Sequence, residues 1–369
     1  MANRATDVAS PESGALDAKI LEVIERWRRD GEPLQEDRFT DLALRLFDYQ
    51  LRHNEPYARY CLRLGATAPK SWEQIPAVPA PAFKEFTLTT FDPANAAIVF
   101  ETSGTTGVPG RHFMETTSLY DAALLAGFER FALPDGARLR YFNLVPNPAL
   151  RPSSSLGYMM AQVSRRCGDP MTGWYLRDEE LLVESFVADL NSAIAQRQSV
   201  FIGATAFALA HLLDTLQARG ERYALPAGSR LMVTGGFKGR ARIESPDRLY
   251  ARACDRFAVA PDAIVAEYGM TELTSQYYAV AGGAYAGPPW LRARVVGPDR
   301  QNLARGEIGT LLHVDLANRS SCLAIQTEDL GVMTDDRGFV SLGRDREAPL
   351  RGCSLDAEDL QRRSLTARF

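Results

Sequence analysis

The chain has 369 residues, with 42 Lys and Arg against 46 Asp and Glu, a formal net charge of −4, and 46% hydrophobic content. That length exceeds the roughly 100–200 residues of an ordinary domain, so two or more core-forming units are expected. The balance of charge gives no electrostatic ground for nucleic acid or an anionic membrane as the main partner.

Residues 1–14 read as a flexible leader rich in Ser, Pro, Gly and Ala. From Leu16 the positions Ile20, Val23, Ile24 and Trp27 fall at helical spacing, and a second helix is predicted over 37–52 with Phe39, Leu42, Leu46 and Phe47 on one face. Four prolines within 66–81 mark a connector. A buried strand is predicted over 96–100, then a Ser/Thr/Gly loop, then a helix over 118–131. Strand-like runs at 140–145, 199–203, 230–234 and 264–266 alternate with helical patterns at 180–196, 206–219 and 245–257. This alternation predicts α/β layering around a largely parallel sheet. Shorter, partly antiparallel strands are expected at 306–314 and 322–326.

The five cysteines form no CxxC pair and no short Cys/His cluster, which argues against a zinc site and a disulfide framework. The N-terminal stretch has no apolar signal core, and the most apolar run, 200–213, is shorter than the ~20 residues of a membrane span. The reducing cytoplasm is the expected compartment.

Thr102, Ser103, Gly104, Thr105, Thr106 and Gly107 place four hydroxyls and two glycines in one loop. Glycines let backbone N–H groups converge on an anion and hydroxyls add donors, although an ordinary turn has the same composition. No Walker A or GxGxxG pattern occurs. Glu267, Tyr268, Gly269, Met270, Thr271 and Glu272 follow a strand, where loops of parallel sheets face ligands. There an aromatic ring can stack on a base and a carboxylate can hold Mg²⁺. Gln326 to Gly331 sets Glu328 and Asp329 between an apolar strand and a turn. An ionised Asp offers paired acceptors for a diol, and a plain Asx turn is the alternative. His112 follows the first loop closely enough to orient a substrate, or serves structure alone.

In chain order the motifs are TSGTTG from Thr102, TGG from Thr234, YGMTE from Tyr268, TEDLG from Thr327, and GR at Gly343–Arg344 with a downstream RG at Arg351–Gly352. This series resembles the adenylate-forming superfamily. Within it the chain is similar to the LuxE-like acyl-protein synthetases that feed fatty-acid reductases, with phenylacetate-CoA ligase-like relatives. Gly235, Gly236 and Lys238 in the GGFK segment strengthen that likeness.

The resemblance implies an α/β fold, the large N-terminal domain of layered sheets over 15–340, with 341–369 as the remnant of a truncated or vestigial C-terminal lid. It implies ATP and Mg²⁺ as cofactors and a carboxylic acid, fatty or similar, as substrate. Ser103 to Gly107 would cradle pyrophosphate, Gly235 and Gly236 line the adenine pocket, and Tyr268 stack on the base. Thr271 would meet the α-phosphate, Glu272 would bind Mg²⁺, Asp329 would hold the ribose diol and Arg344 would touch ribose or phosphate. Lys238 is the candidate for the lid's missing lysine, and Cys353 the candidate acyl acceptor for transfer to a reductase partner. The alternatives are an acyl- or aryl-CoA ligase, in which coenzyme A replaces the internal thiol, and a non-catalytic nucleotide-binding scaffold.

Overall fold

Runs of β-branched and aromatic residues make strands, and strands buried on both faces need no polar alternation. Residues 140–144, 200–205, 230–234 and 264–268 meet that condition. They form the centre of a six-stranded sheet ordered Tyr277–Val280, Ile264–Tyr268, Arg230–Thr234, Val200–Thr205, Arg140–Leu144, Gly173–Trp174. All neighbours are parallel except Tyr277–Val280, which runs against Ile264–Tyr268. The register lines up Phe142, Ile202, Leu231 and Ile264 in one row, and Leu144, Ala204 and Val233 in the next. Helices Val183–Ala195, Ala206–Ala218 and Pro246–Phe257 cover these rows with Phe186, Leu190, Leu209, Leu212, Leu216, Leu249 and Phe257. Each such side chain stabilises the fold by about 1.5–3 kcal/mol through burial. Thr205 and Ser245 cap the second and third helices by accepting from the N–H groups of Ala208 and Arg248.

This computed structural model describes residues 11–102, 107–178, 180–235, 244–280, 282–335 and 337–344. The sheet above belongs to one of two compact units, Gly127–Gly269 with Gln276–Ala286; the other comprises the chain up to Ala126, Met270–Ser275 and the chain from Gly287.

The second unit opens with helices Pro11–Asp30, Glu36–His53 and Glu55–Arg63. Its five-stranded sheet orders Val78–Pro79, Ala324–Met333, Gly309–Asp315 and Leu291–Val296, with Phe339–Arg344 also pairing with Ala324–Met333. Trp27 meets Trp290 edge-on at 5.2 Å, and Arg292 lies 4.5 Å over the ring of Phe39. Strands Ile98–Glu101 and Arg111–Met114 form an antiparallel ribbon.

Several expectations change. The first helix begins at Pro11, inside the stretch read as leader: proline suits the first helical position and Ser13 is buried. The strand expected at 96–100 runs Ile98–Glu101 and pairs with Arg111–Met114 in the ribbon; of the burial expected along it, only Phe100 is buried. The helix expected from residue 180 starts at Val183, because Glu180–Leu181 pairs with Leu176–Arg177. The TEDLG motif, read as following a strand, lies inside Ala324–Met333, and residues 341–344 pair in the same sheet. Helices Glu55–Arg63 and Ser155–Cys167 and strands Tyr277–Val280 and Leu291–Val296 have no counterpart in the sequence reading.

Candidate active site

The parallel strands of the sheet unit all end along one edge. Thr234 and Glu267 are register partners there, and the Thr234 hydroxyl donates to the buried Glu267 carboxylate. The next residues, Gly235 and Tyr268, therefore stand side by side at the end of these strands, with Tyr268 still paired to Tyr277. Gly235 has φ 67°, a left-handed conformation that glycine adopts without strain. At Gly269 a β-carbon would come within 2.3 Å of Glu267 Oε1, so only glycine leaves the carboxylate in place. Tyr268 is half-buried, meeting Tyr277 and Tyr285 at ring distances of 6.1 and 5.6 Å.

The other unit holds the remaining described candidates. The ribbon Ile98–Glu101 with Arg111–Met114 is continued by Thr102, whose N–H donates to Gly110 O at 2.9 Å while Gly110 N donates to Thr102 Oγ1 at 2.9 Å. This pair closes the neck of the Ser/Thr/Gly loop, and Gly107 on its far side has φ 97°. The stem of Lys84 lies against the same neck: a β-carbon at Gly110 would meet it at 3.5 Å.

Thr271 is half-buried and Glu272 is 7% exposed. Their backbone is held from two sides. His112 Nδ1 donates to Thr271 O at 2.7 Å, and Asn318 Nδ2 donates to Glu272 O at 2.8 Å. Burial holds the His112 imidazole below its usual range, against the opposing pull of the Thr271 carbonyl. Just downstream, Asp315 accepts from Thr274 N at 3.0 Å, Ser275 N at 2.8 Å, Ser275 Oγ at 2.9 Å and Ala317 N at 3.0 Å. Full burial raises the Asp315 carboxyl to about 6 even so.

Asp329 is half-buried in its strand, directly across from Arg344, with a register shift between Leu330 and Gly331. The Leu311 carbonyl, which accepts from Thr327 Oγ1, marks the level of this motif on strand Gly309–Asp315. Four residues, or roughly 13 Å of strand, separate that level from Asp315. The structure thus draws Thr102 and the Thr271–Glu272 pair together through His112, and sets Asp329 with Arg344 farther along the sheet. Ser103, Gly104, Thr105, Thr106, Gly236, Lys238 and Cys353 lie outside the described residues, as does the Arg344 side chain.

Asp315, Asn318 and Arg319 were not anticipated. They sit at the end of strand Gly309–Asp315 and in the connector after it, where Arg319 is 1% exposed, pairs with Asp17 at 2.8 Å and also donates to Glu115. Gln50 Nε2 donates to Asn318 O at 2.8 Å, and Gln50 Oε1 accepts from Leu323 N at 2.9 Å. The signal available was compositional: an Asp, an Asn, an Arg and two Ser within eight residues flanked by Val314 and Leu323.

No protein-family model matches the chain. The chain is 22% identical over 324 residues to the long-chain-fatty-acid–luciferin-component ligase of Vibrio harveyi, covering 84% of each chain. Its fold is similar to a 2-hydroxyisobutyryl-CoA ligase solved with 2-HIB-AMP and CoA: TM-score 0.64, 14% identity, 87% of this chain and 73% of that one. It is also similar to ATP-bound MatB from Rhodopseudomonas palustris, with TM-score 0.51, 15% identity and coverage of 73% and 52%. The chain spans about half the length of several such structures. No described helix is long and apolar enough to cross a membrane. By sequence the chain is similar to the Vibrio ligase along most of both lengths, and by fold it is similar to the 2-hydroxyisobutyryl-CoA ligase.

Proposed function

We propose that this protein activates a carboxylic acid with ATP and passes the acyl group to a protein thiol. The carrying observation is the similarity to the Vibrio ligase across 84% of both chains, on a fold shared with a ligase solved with 2-HIB-AMP and CoA. In the first step a carboxylate oxygen attacks the α-phosphorus of ATP. A new P–O bond forms, the bond to the β-phosphate bridge breaks, and pyrophosphate leaves. In the second step a thiolate attacks the acyl carbon, a C–S bond replaces the bond to phosphate oxygen, and AMP leaves.

Both reactants of the first step are anionic, so the protein's task is charge neutralisation and placement. The loop from Thr102 to Gly107 supplies N–H and hydroxyl donors for the departing phosphates, with Lys84 at its neck and Lys238 as further cations. Tyr268 offers a face to the base, Gly235 and Gly236 leave room beside it, Thr271 reaches the α-phosphate, and Asp329 with Arg344 takes the ribose. Among the described residues no three His, Cys, Asp or Glu side chains gather into a metal cage. A lone carboxylate such as Glu272 suits Mg²⁺ delivered on nucleotide phosphates, since that ion keeps most of its shell from water and phosphate. Bound there, Mg²⁺ would neutralise developing charge on the phosphates. Cys353 is the proposed acceptor, a fatty or similar acid the proposed substrate, and an acyl-protein reductase the proposed recipient, in the cytoplasm.

The test is ATP–pyrophosphate exchange across a panel of carboxylic acids, followed by intact-mass measurement. Exchange that requires the acid, with a mass gain of one acyl group that Cys353→Ser abolishes, supports the reading. Exchange with turnover only when coenzyme A is added moves the acceptor to that thiol. Absence of exchange with every acid leaves a nucleotide-binding scaffold.

A further inference from the structure

Glu272 can act on a ligand only if its side chain leaves the backbone in one direction. That direction is set by the two peptide planes flanking its Cα, because each peptide is rigid and only φ and ψ remain free. The carbonyl of Thr271 belongs to the plane before that Cα and the carbonyl of Glu272 to the plane after it. Each carbonyl accepts one buried side-chain N–H, from His112 at 2.7 Å and from Asn318 at 2.8 Å. A carbonyl can only accept, so the bonds fix His112 with its proton on Nδ1 and Asn318 with its amide nitrogen toward Glu272.

We propose that His112 and Asn318 are positioning residues that lock φ and ψ of Glu272 and couple that residue to the paired Thr102 and Gly110. The proposal rests on the adenylation reading for what Glu272 does, and on the hydrogen bonds alone for how it is held. His112 is placed for the coupling: it pairs in register with Phe100, and two residues before it Gly110 closes the neck of the loop with Thr102. Asn318 arrives from the connector after Gly309–Asp315, itself gripped by Gln50.

A second observation separates this role from packing. His112 and Asn318 are each 1% exposed, and His112 Nε2 and Asn318 Oδ1 are both buried without a hydrogen-bond partner. Burying a lone pair unsatisfied is unfavourable, and an apolar side chain of similar size would avoid that penalty. Both residues line one small cavity with Thr274, Ala317 and Arg319. Their polar character is accounted for by the atoms on the other side, which hold the two carbonyls.

The experiment compares His112→Phe, His112→Asn and Asn318→Ala with the unaltered protein. Asparagine places a donor near the position of Nδ1, whereas phenylalanine keeps the ring and removes the donor. The expected result is a kcat for acid-dependent pyrophosphate exchange about 100-fold lower in His112→Phe, since misplacing a reacting group by ~1 Å costs that much. The KM for ATP should move less than about threefold, and His112→Asn should recover most of the rate. Hydrogen exchange of the peptide over 268–276 should accelerate in His112→Phe and Asn318→Ala and return toward normal in His112→Asn. Equal rates in all variants, or equal losses in Phe and Asn variants that track thermal stability, overturn the proposal. If the unaltered protein shows no exchange with any acid, the adenylation reading fails. The hydrogen-exchange comparison still decides whether His112 holds the segment.

Discussion

The two units solve the same problem, holding loops in place, with opposite materials. In the six-stranded unit, Gly235 and Tyr268 are positioned by the register of apolar strands, whose rows of Phe, Ile, Leu and Val are covered by helices. In the other unit, Thr271–Glu272 and their neighbours are positioned by buried polar side chains: His112, Asn318, Asp315, Gln50 and the Arg319 triad. Apolar register sets which face of the sheet a side chain takes but not the direction of a loop beyond the strand end. Hydrogen bonds to particular carbonyls fix direction, and each one lost leaves a buried group unpaired.

Arg319→Leu probes the polar side most severely. It strands the carboxylates of Asp17 and Glu115 beside an apolar group and should lower the unfolding free energy by about 3–5 kcal/mol in a urea titration. A loss below about 1 kcal/mol would break the contrast. Leu209→Ala is the counterpart in the apolar cluster, where it empties a fully buried site. The expected loss is about 2–5 kcal/mol, the same at every pH.

Asp315 sharpens the comparison through pH. Its carboxyl is raised from 3.8 to about 6 in the folded protein. The folded state therefore binds the proton more tightly than the unfolded chain does. The stability this gives is complete below about pH 4 and is lost as pH rises through about 6. Relative to Asp315→Asn, the unaltered protein should gain stability as pH falls across that window, by up to about 1.4 kcal/mol per pH unit. Urea midpoints for both proteins at several pH values measure it, and parallel curves would contradict it. The smallest effect is expected at Gly235→Ala. Among the described residues no atom lies within 4 Å of a β-carbon there, so the left-handed backbone carries the penalty, about 1–2 kcal/mol.

The sequence was most readable where apolar burial decides. The runs over 140–145, 199–203, 230–234 and 264–266 became the parallel sheet, and Phe39, Leu42, Leu46 and Phe47 became a buried helix face. It was least readable where polar atoms decide. The partner of a buried Asn or His is set by tertiary contact, as with Asn318, which bonds a carbonyl 46 positions away. The strand Ile98–Glu101 was legible as a strand but its partner was not, because an apolar run before a glycine-rich loop fits a parallel strand and a hairpin equally well. The order of the motifs carried the family resemblance, because five short patterns in sequence are more specific than any one. Their geometry stayed invisible until the carbonyls and their donors could be seen.

The register shift between Leu330 and Gly331 bears on how this chain tolerates change. Side chains on a strand alternate between faces, and the extra residue at this shift is Leu342 on strand Phe339–Arg344, so deleting Leu342 would carry Arg344 off its place across from Asp329 while leaving residues 327–331 intact. Gly331 adds a second restriction, since a β-carbon there would come within 2.8 Å of Leu311. Spacing at this bend therefore matters as much as identity, and a one-residue deletion there should separate Arg344 from Asp329 more completely than replacing any one residue of 327–331.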